Sequence, residues 1–278
     1  MQTTERLIKN VEAKWLEQLQ DQCRKVFLGV HLPSHDETHH ARVWQHAKTL
    51  LLELAKKKIL FNEVEIEKLL ISVFFHDTGM SETLQKDHGK ISRRIAKDFL
   101  KDKSLHGIEL EDIFEAIEHH DKKDYSVANM AGKPEFTLQS LLNISDDLDA
   151  LGIIGSYRYS EIYLLRHIAV KDISDAILEN LQGRFQHMKN YLAFSPHYLK
   201  SQNQRYMITR DFFKDLNFQF KQTGLDPADY TGPLGVINFF KELIFRQKLH
   251  LPETCKNALL ISSDFYVTHF FERLEKEI

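Results

Sequence analysis

The chain has 278 residues, 42% of them apolar and 28% charged, with a formal net charge of −3 at pH 7. That is enough apolar material for one large core or one and a half; the near-neutral balance gives no general basis for nucleic-acid binding, and no apolar run approaches the ~18 residues of a membrane span. The two cysteines, Cys23 and Cys255, form no Cys-x-x-Cys spacing, so neither a disulfide framework nor a thiolate metal site is indicated. A cytoplasmic protein is expected, because the polar opening Met1-Gln2-Thr3-Thr4-Glu5-Arg6 also lacks a signal-peptide apolar core.

Helical periodicity runs almost throughout and predicts an all-α fold. The expected helices cover roughly residues 4 to 27, 37 to 57, 63 to 76, 88 to 101, 109 to 120, 136 to 150, 173 to 193, 203 to 221, 234 to 248 and 263 to 277. The 11 glycines and 6 prolines fall mostly between these stretches. No sustained strand alternation, internal repeat or low-complexity segment is visible. The turn-rich stretch from Thr223 to Gly235 is read as a loop within a helical extension.

In chain order, the first segment of chemical interest is Ser34-His35-Asp36-Glu37-Thr38-His39-His40-Ala41-Arg42-Val43. The following helix has its apolar stripe at Val43, Ala47, Leu50 and Leu51, and one turn back from Val43 lies His39, which therefore faces inward. Asp36 is as plausible a helix N-cap as a group that orients a ligand from behind. The second segment ends the apolar run Leu69 to Phe75 with His76-Asp77. Leu69, Val73, His76 and Asp77 share one side of their helix. In a third segment Leu138, Leu141 and Leu142 define a face on which Asp146 also lies, with Asp149 further along. A carboxylate beside an imidazole is costly to bury unless something pairs with it, and a divalent cation is the strongest partner available. Two imidazoles and two carboxylates form a mixed nitrogen and oxygen set suited to Mn, Fe, Co, Zn or Mg. His120 follows Ile113, Ala116 and Ile117 at helical spacing and points inward, whereas His119 is about 100° around the helix from it. A lone histidine on an apolar face is more often a hydrogen-bonded core residue than a ligand. Accordingly His31, His35, His46, His106, His167, His187, His197, His250 and His269 are read as surface or structural, His35 less firmly because it accompanies Asp36.

The order His, His-Asp, Asp resembles the HD superfamily of metal-dependent phosphohydrolases. Asp36-x-x-His39-x-x-Arg42-Val43 resembles its opening motif, His76-Asp77-Thr78-Gly79 its namesake, and Ser145-Asp146-Asp147-Leu148-Asp149-Ala150-Leu151-Gly152 its closing one. Gly152-Ile153-Ile154-Gly155-Ser156-Tyr157-Arg158 is similar to the continuation seen in small bacterial HD hydrolases, in which the arginine can approach a phosphate. The resemblance covers roughly residues 30 to 160. It implies an HD-domain helical bundle over residues 1–160, with an N-terminal helix, and leaves 161–278 as a helical extension packed on it.

The resemblance also implies an activity: hydrolysis of a phosphomonoester or phosphoanhydride by metal-activated water. His39, His76, Asp77 and Asp146 would hold an ion, and Asp77 would help to orient the water. His88 lies in His88-Gly89-Lys90-Ile91-Ser92-Arg93-Arg94-Ile95-Ala96, similar to the family's third segment. In the two-metal branch it would join His120 on a second ion, with hydrogen bonding to a phosphate or ordered water as the lesser reading of both. The cofactor is then one or two ions of Mn, Fe, Co, Mg or Ni, with Asp36, His119 and Asp149 behind the ligands. Lys90, Arg93, Arg94 and above all Arg158 are candidates to neutralise phosphate. For Arg93 and Arg94 the solvated face of an amphipathic helix is an equal reading. The expected partner is a small phosphorylated substrate, with nucleotides leading. A cyclic dinucleotide is disfavoured because no Gly-Tyr-Pro segment is present, and Met80 stands where several branches carry lysine. The same residues resemble the HD-type di-iron oxygenases, and a non-catalytic phosphate-ligand sensor is a third reading. The phenylalanine-rich extension is expected to pack as core, with a homodimer surface or pocket lid as its alternatives.

Overall fold

The computed structural model describes residues 3–103, 109–122, 135–222 and 225–278. His106 and the Thr223-Gly224 end of the expected loop lie outside the described residues. The helices are α1 (Thr4–Val26), α2 (Glu37–Lys56), α3 (Glu63–Phe75), α4 (His88–Leu100), α5 (Leu110–His119), α6 (Leu138–Asp149), α7 (Gly152–Leu165), α8 (Val170–Leu192), α9 (Pro196–Phe220), α10 (Gly232–Phe239), α11 (Leu251–Ile261) and α12 (Phe265–Leu274). A 3-10 turn, Thr78–Ser81, joins α3 to α4, and a π-helical stretch, Phe240–Arg246, continues α10. Among the described residues there is no strand, so the fold is all-α as expected. No described helix is long and apolar enough to cross a membrane. Contacts divide the chain into two compact units, Met1–Asp149 with His187–Leu199, and Ala150–Gln186 with Lys200–Ile278.

In the first unit α3 is the central element, packed on α1, α2, α5 and α6. Its residues Leu69 to Phe75 are all buried, so an apolar side chain suits every face, which accounts for a hydrophobic run interrupted only by the small Ser72. The α2 stripe of Val43, Ala47, Leu50 and Leu51 is fully buried, as its spacing predicts. Caps fix where these helices start. Asp36 Oδ1 accepts from the Thr38 amide at 2.9 Å, and Asn62 and Glu65 form a reciprocal capping box on α3. One buried carboxylate of the core is paired without any metal: Glu67 accepts from the Lys14 ammonium and from the Trp15 indole, each at 2.5 Å, which ties α1 to α3. Residues 187–199 join this unit through Phe136, whose ring lies 5.8 Å from Tyr191 and 5.7 Å from Phe194, and through Ser195, which donates to Glu53.

The second unit has an aromatic core. The Phe240 ring lies 5.2 Å from Tyr157, 5.9 Å from Phe270 and 5.6 Å from Phe271, and Phe212 lies 5.1 Å from Phe270. Phe218 and Phe265 depart from this pattern, being 67% and 82% exposed. The periodicity predicts no helix over α7 or α11. Gly152 to Ile162 is buried on every face, so α7 has no polar stripe for a periodicity to reveal. Its start lacks a local cap as well. Gly152 takes the left-handed φ of +89° that favours glycine, and the Glu277 carboxylate accepts from the Ile153 and Ile154 amides at 3.3 and 3.1 Å.

Candidate metal centre

Five segments of the first unit converge on one buried cluster. α2 contributes His39, the end of α3 contributes His76 and Asp77, the start of α4 contributes His88, and the end of α5 contributes His120; α6 contributes Asp146. All six are at most 5% exposed. α3 stops at its cap residue His76, and Asp77 leaves the helix at φ −106°, ψ 8°.

The ligand atoms form two groups, His39, His76, Asp77 and Asp146 in one and Asp77, His88 and His120 in the other. In the first, His39 Nε2 lies 3.3 Å from His76 Nε2, 3.5 Å from Asp77 Oδ2 and 3.8 Å from Asp146 Oδ1. His76 Nε2 lies 3.4 Å from Asp77 Oδ2 and 3.8 Å from Asp146 Oδ1. In the second, His88 Nε2 and His120 Nε2 are 3.2 Å apart and stand 3.3 and 3.0 Å from Asp77 Oδ1. Asp77 thus turns one oxygen to each group.

The outer nitrogens settle which atoms face inward. His39 Nδ1 donates to Asp149 Oδ2 at 2.8 Å, His76 Nδ1 to the Val73 carbonyl at 2.8 Å, His88 Nδ1 to the Gln85 carbonyl at 2.8 Å and His120 Nδ1 to the Ile117 carbonyl at 2.7 Å. With Nδ1 carrying the proton, each neutral ring aims the Nε2 lone pair at its neighbours. Lone pairs crowded against one another and against carboxylates repel unless a cation sits among them. Ligand bonds of about 2.0–2.2 Å place donor atoms ~3.0 to ~3.5 Å apart around one ion, close to the separations found here. The residues therefore fit a divalent metal, and both groups can hold one.

Without an ion, protons supply the compensating charge. Burial alone would lower His76, but the Asp77 and Asp146 carboxylates outweigh it and hold the imidazole up at about 10. Burial likewise opposes the charged form of His88, and Asp77 with Asp121 raises it to about 9. Burial would raise the Asp77 carboxyl, yet His76, His120 and His39 keep it well below the usual carboxylate range.

The remaining expected site residues fall in varied places. Asp149 lies behind His39 and also accepts from Arg42 Nε at 2.9 Å and Nη2 at 3.2 Å, so a buried carboxylate orients the His39 ring and is itself neutralised. Asp36 is the N-cap, and its carbonyl accepts from His40 Nδ1 at 2.9 Å. His119 is half-buried and belongs to neither group. Arg93 pairs with Glu118 at 2.7 Å and with Glu111, Arg94 pairs with Glu82, and Lys90 is exposed. Two positions on from His88, Lys90 is turned roughly 200° around α4, away from the cluster. Glutamates from other segments pair with both arginines, as on the wet side of an amphipathic helix. Arg158 lies on α7 in the second unit and is 6% exposed.

Three residues beside the cluster escape the periodicity. His35 is 7% exposed, with Nε2 3.9 Å from Asp77 Oδ2 and Nδ1 2.6 Å from Ser34 Oγ. His40 is fully buried, its ring 5.2 Å from His39 and 5.1 Å from His76, and burial keeps it neutral by pushing it well below its ordinary value. Asp121 meets both histidines of the second group. Direct adjacency to His39 and His120 is the signal that points to His40 and Asp121, but a stripe argument discards neighbours 100° away.

An all-helical bundle that gathers His39, His76-Asp77 and Asp146 around a site able to hold metal is an HD-type domain. The sequence model of the HD-CE family matches residues 17–180, well over half of the chain, and the chain belongs to that family. No curated protein and no solved structure gives a match.

Proposed function

We propose that the chain is a metal-dependent phosphohydrolase that cleaves a phosphomonoester or phosphoanhydride of a small metabolite, a nucleotide in the first place. The observation that carries this reading is the Asp77 carboxylate, whose Oδ2 faces His39 and His76 while Oδ1 faces His88 and His120. A carboxylate shared in this way would hold two ions at a fixed separation, the arrangement suited to displacement at phosphorus. Bound divalent ions lower the pKa of their water toward ~7 and polarise a phosphoryl oxygen. The chain's own residues do the rest. His39, His76 and Asp146 would complete one ligand set, and His88 and His120 the other. Asp149 holds the His39 ring in one tautomer, and backbone carbonyls do the same for His76, His88 and His120.

The test is a phosphate-release screen over nucleotides and sugar phosphates with Mn, Mg, Co, Ni and Zn, using Asp77→Asn as the blank. Turnover in the wild type is expected to require metal, and Asp77→Asn is expected to abolish it while the helical spectrum is kept. Oxygen-dependent turnover with iron and no phosphate release would overturn the reading in favour of the oxygenase alternative. Wild-type rates in Asp77→Asn would overturn the assignment of Asp77.

A further inference from the structure

Asp121 follows His120 directly, just beyond α5, and its carboxylate reaches the second ligand group. Oδ2 lies 3.2 Å from His88 Nε2, and Oδ1 lies 3.7 Å from His120 Nε2. Both imidazoles already donate Nδ1–H to backbone carbonyls. The atoms Asp121 faces are thus the lone-pair nitrogens that Asp77 Oδ1 faces at 3.3 and 3.0 Å. Two carboxylates addressing one pair of imidazole nitrogens call for positive charge between them, and a divalent cation there makes every contact attractive.

We propose that Asp121 is a further protein ligand of the second ion. The assignment rests on the two-ion reading above. It gives the second ion His88, His120, Asp77 and Asp121, two nitrogens and two carboxylates, which is the composition of the first set. The two sets differ in access. The Asp77 and Asp146 side chains are 6% exposed, whereas that of Asp121 is 44% exposed. The second ion therefore has one ligand at the water, held by a short side chain outside regular helix. Asp121 is the ligand that can yield when a substrate oxygen arrives, and the second ion is the one that exchanges with solution.

The experiment is Mn(II) binding to the full chain after removal of metal with chelator, followed by calorimetry, bound-metal analysis and electron paramagnetic resonance. The wild type is expected to bind two Mn(II) and give the coupled spectrum of a pair. Asp121→Ala should keep one tightly held Mn(II), lose the coupled signal and raise the dissociation constant of the second by about tenfold or more. Asp121→Glu should retain both. Because the side chain is 44% exposed, metal-free Asp121→Ala should still unfold in one cooperative thermal transition, which separates ligand loss from misfolding. Two Mn(II) bound to Asp121→Ala with wild-type affinities would overturn the proposal, and so would a wild type that binds only one. A wild type that binds two Mn(II) but hydrolyses no phosphate ester would remove the phosphohydrolase reading alone, with the stoichiometry of Asp121→Ala still deciding the ligand.

Discussion

Gly89 is the most direct place to test how the fold builds the second ligand group. A methyl group there would lie 2.5 Å from the backbone carbonyl oxygen of Glu118 and 3.2 Å from its carbonyl carbon. Neither atom can rotate aside, since both belong to the backbone of α5. Ordinary contact needs ~3.5 Å, so Gly89→Ala forces the start of α4 to withdraw from the end of α5 by about 1 Å. Overpacking of this kind costs about 1–3 kcal/mol. The more specific consequence is geometric. His88 adjoins Gly89, His120 lies two residues beyond Glu118, and their Nε2 atoms are 3.2 Å apart. Ligand bonds tolerate about ±0.2 Å, so a ~1 Å withdrawal takes His88 off an ion that His120 still holds. The second site should lose affinity by about 10–100-fold. The first should bind as before, because its ligands stand on α2, α6 and the end of α3. Urea unfolding of the metal-free protein measures the packing cost, and Mn(II) titration against a competing chelator measures both sites. Unchanged affinity at both sites in a destabilised variant would refute the view that this helix approach sets the ligand geometry, and unchanged stability would refute the packing argument itself.

Three other outcomes are expected. Asp149→Asn leaves His39 Nδ1–H and Arg42 facing an amide in place of a carboxylate, so metal affinity at the first site should fall about 10–100-fold, read by the same titration; wild-type affinity would show that Asp149 does not orient His39. The metal-free protein should lose stability from neutral to alkaline pH. His76 and His88 are raised to about 10 and about 9, so their contribution is complete below ~6.5 and is lost as pH climbs through those values. Asp77 acts in the opposite sense, its contribution being lost on acidification. Metal must displace the two imidazole protons, so binding should release about two protons and tighten with pH between about 6 and 9; calorimetry in buffers of different ionisation enthalpy counts the protons, and none released would contradict the protonated cluster. Arg94→Ala should leave kcat/KM unchanged, because Arg94 pairs with Glu82; a large fall would return it to the substrate side.

Much of the first ligand group is legible in the order of residues alone. His39, the His76-Asp77 pair and Asp146 each sit at a helical interval from a run of leucine, valine or alanine, and a repeat of about 100° per residue tells which side chains turn inward. His120 is legible in the same way. Asp121 is not, because one residue on from His120 it is about 100° further around and falls off the inward stripe. The pairing of the α4 arginines is not legible, because a sequence displays cations without their neighbours, and Glu82, Glu111 and Glu118 lie on other segments. α7 escapes the periodicity because a helix buried on all sides has no stripe.

The sequence by itself determined the helical class, the inward faces and the stock of imidazoles and carboxylates, since these depend on local backbone geometry and on residue chemistry. Tertiary structure alone decided that Asp77 serves two groups, that Asp149 meets Arg42 across 107 residues of chain and that Gly89 lets α4 close on α5. Those facts depend on which faces pack together and how closely, and helical periodicity carries no information about distance between helices.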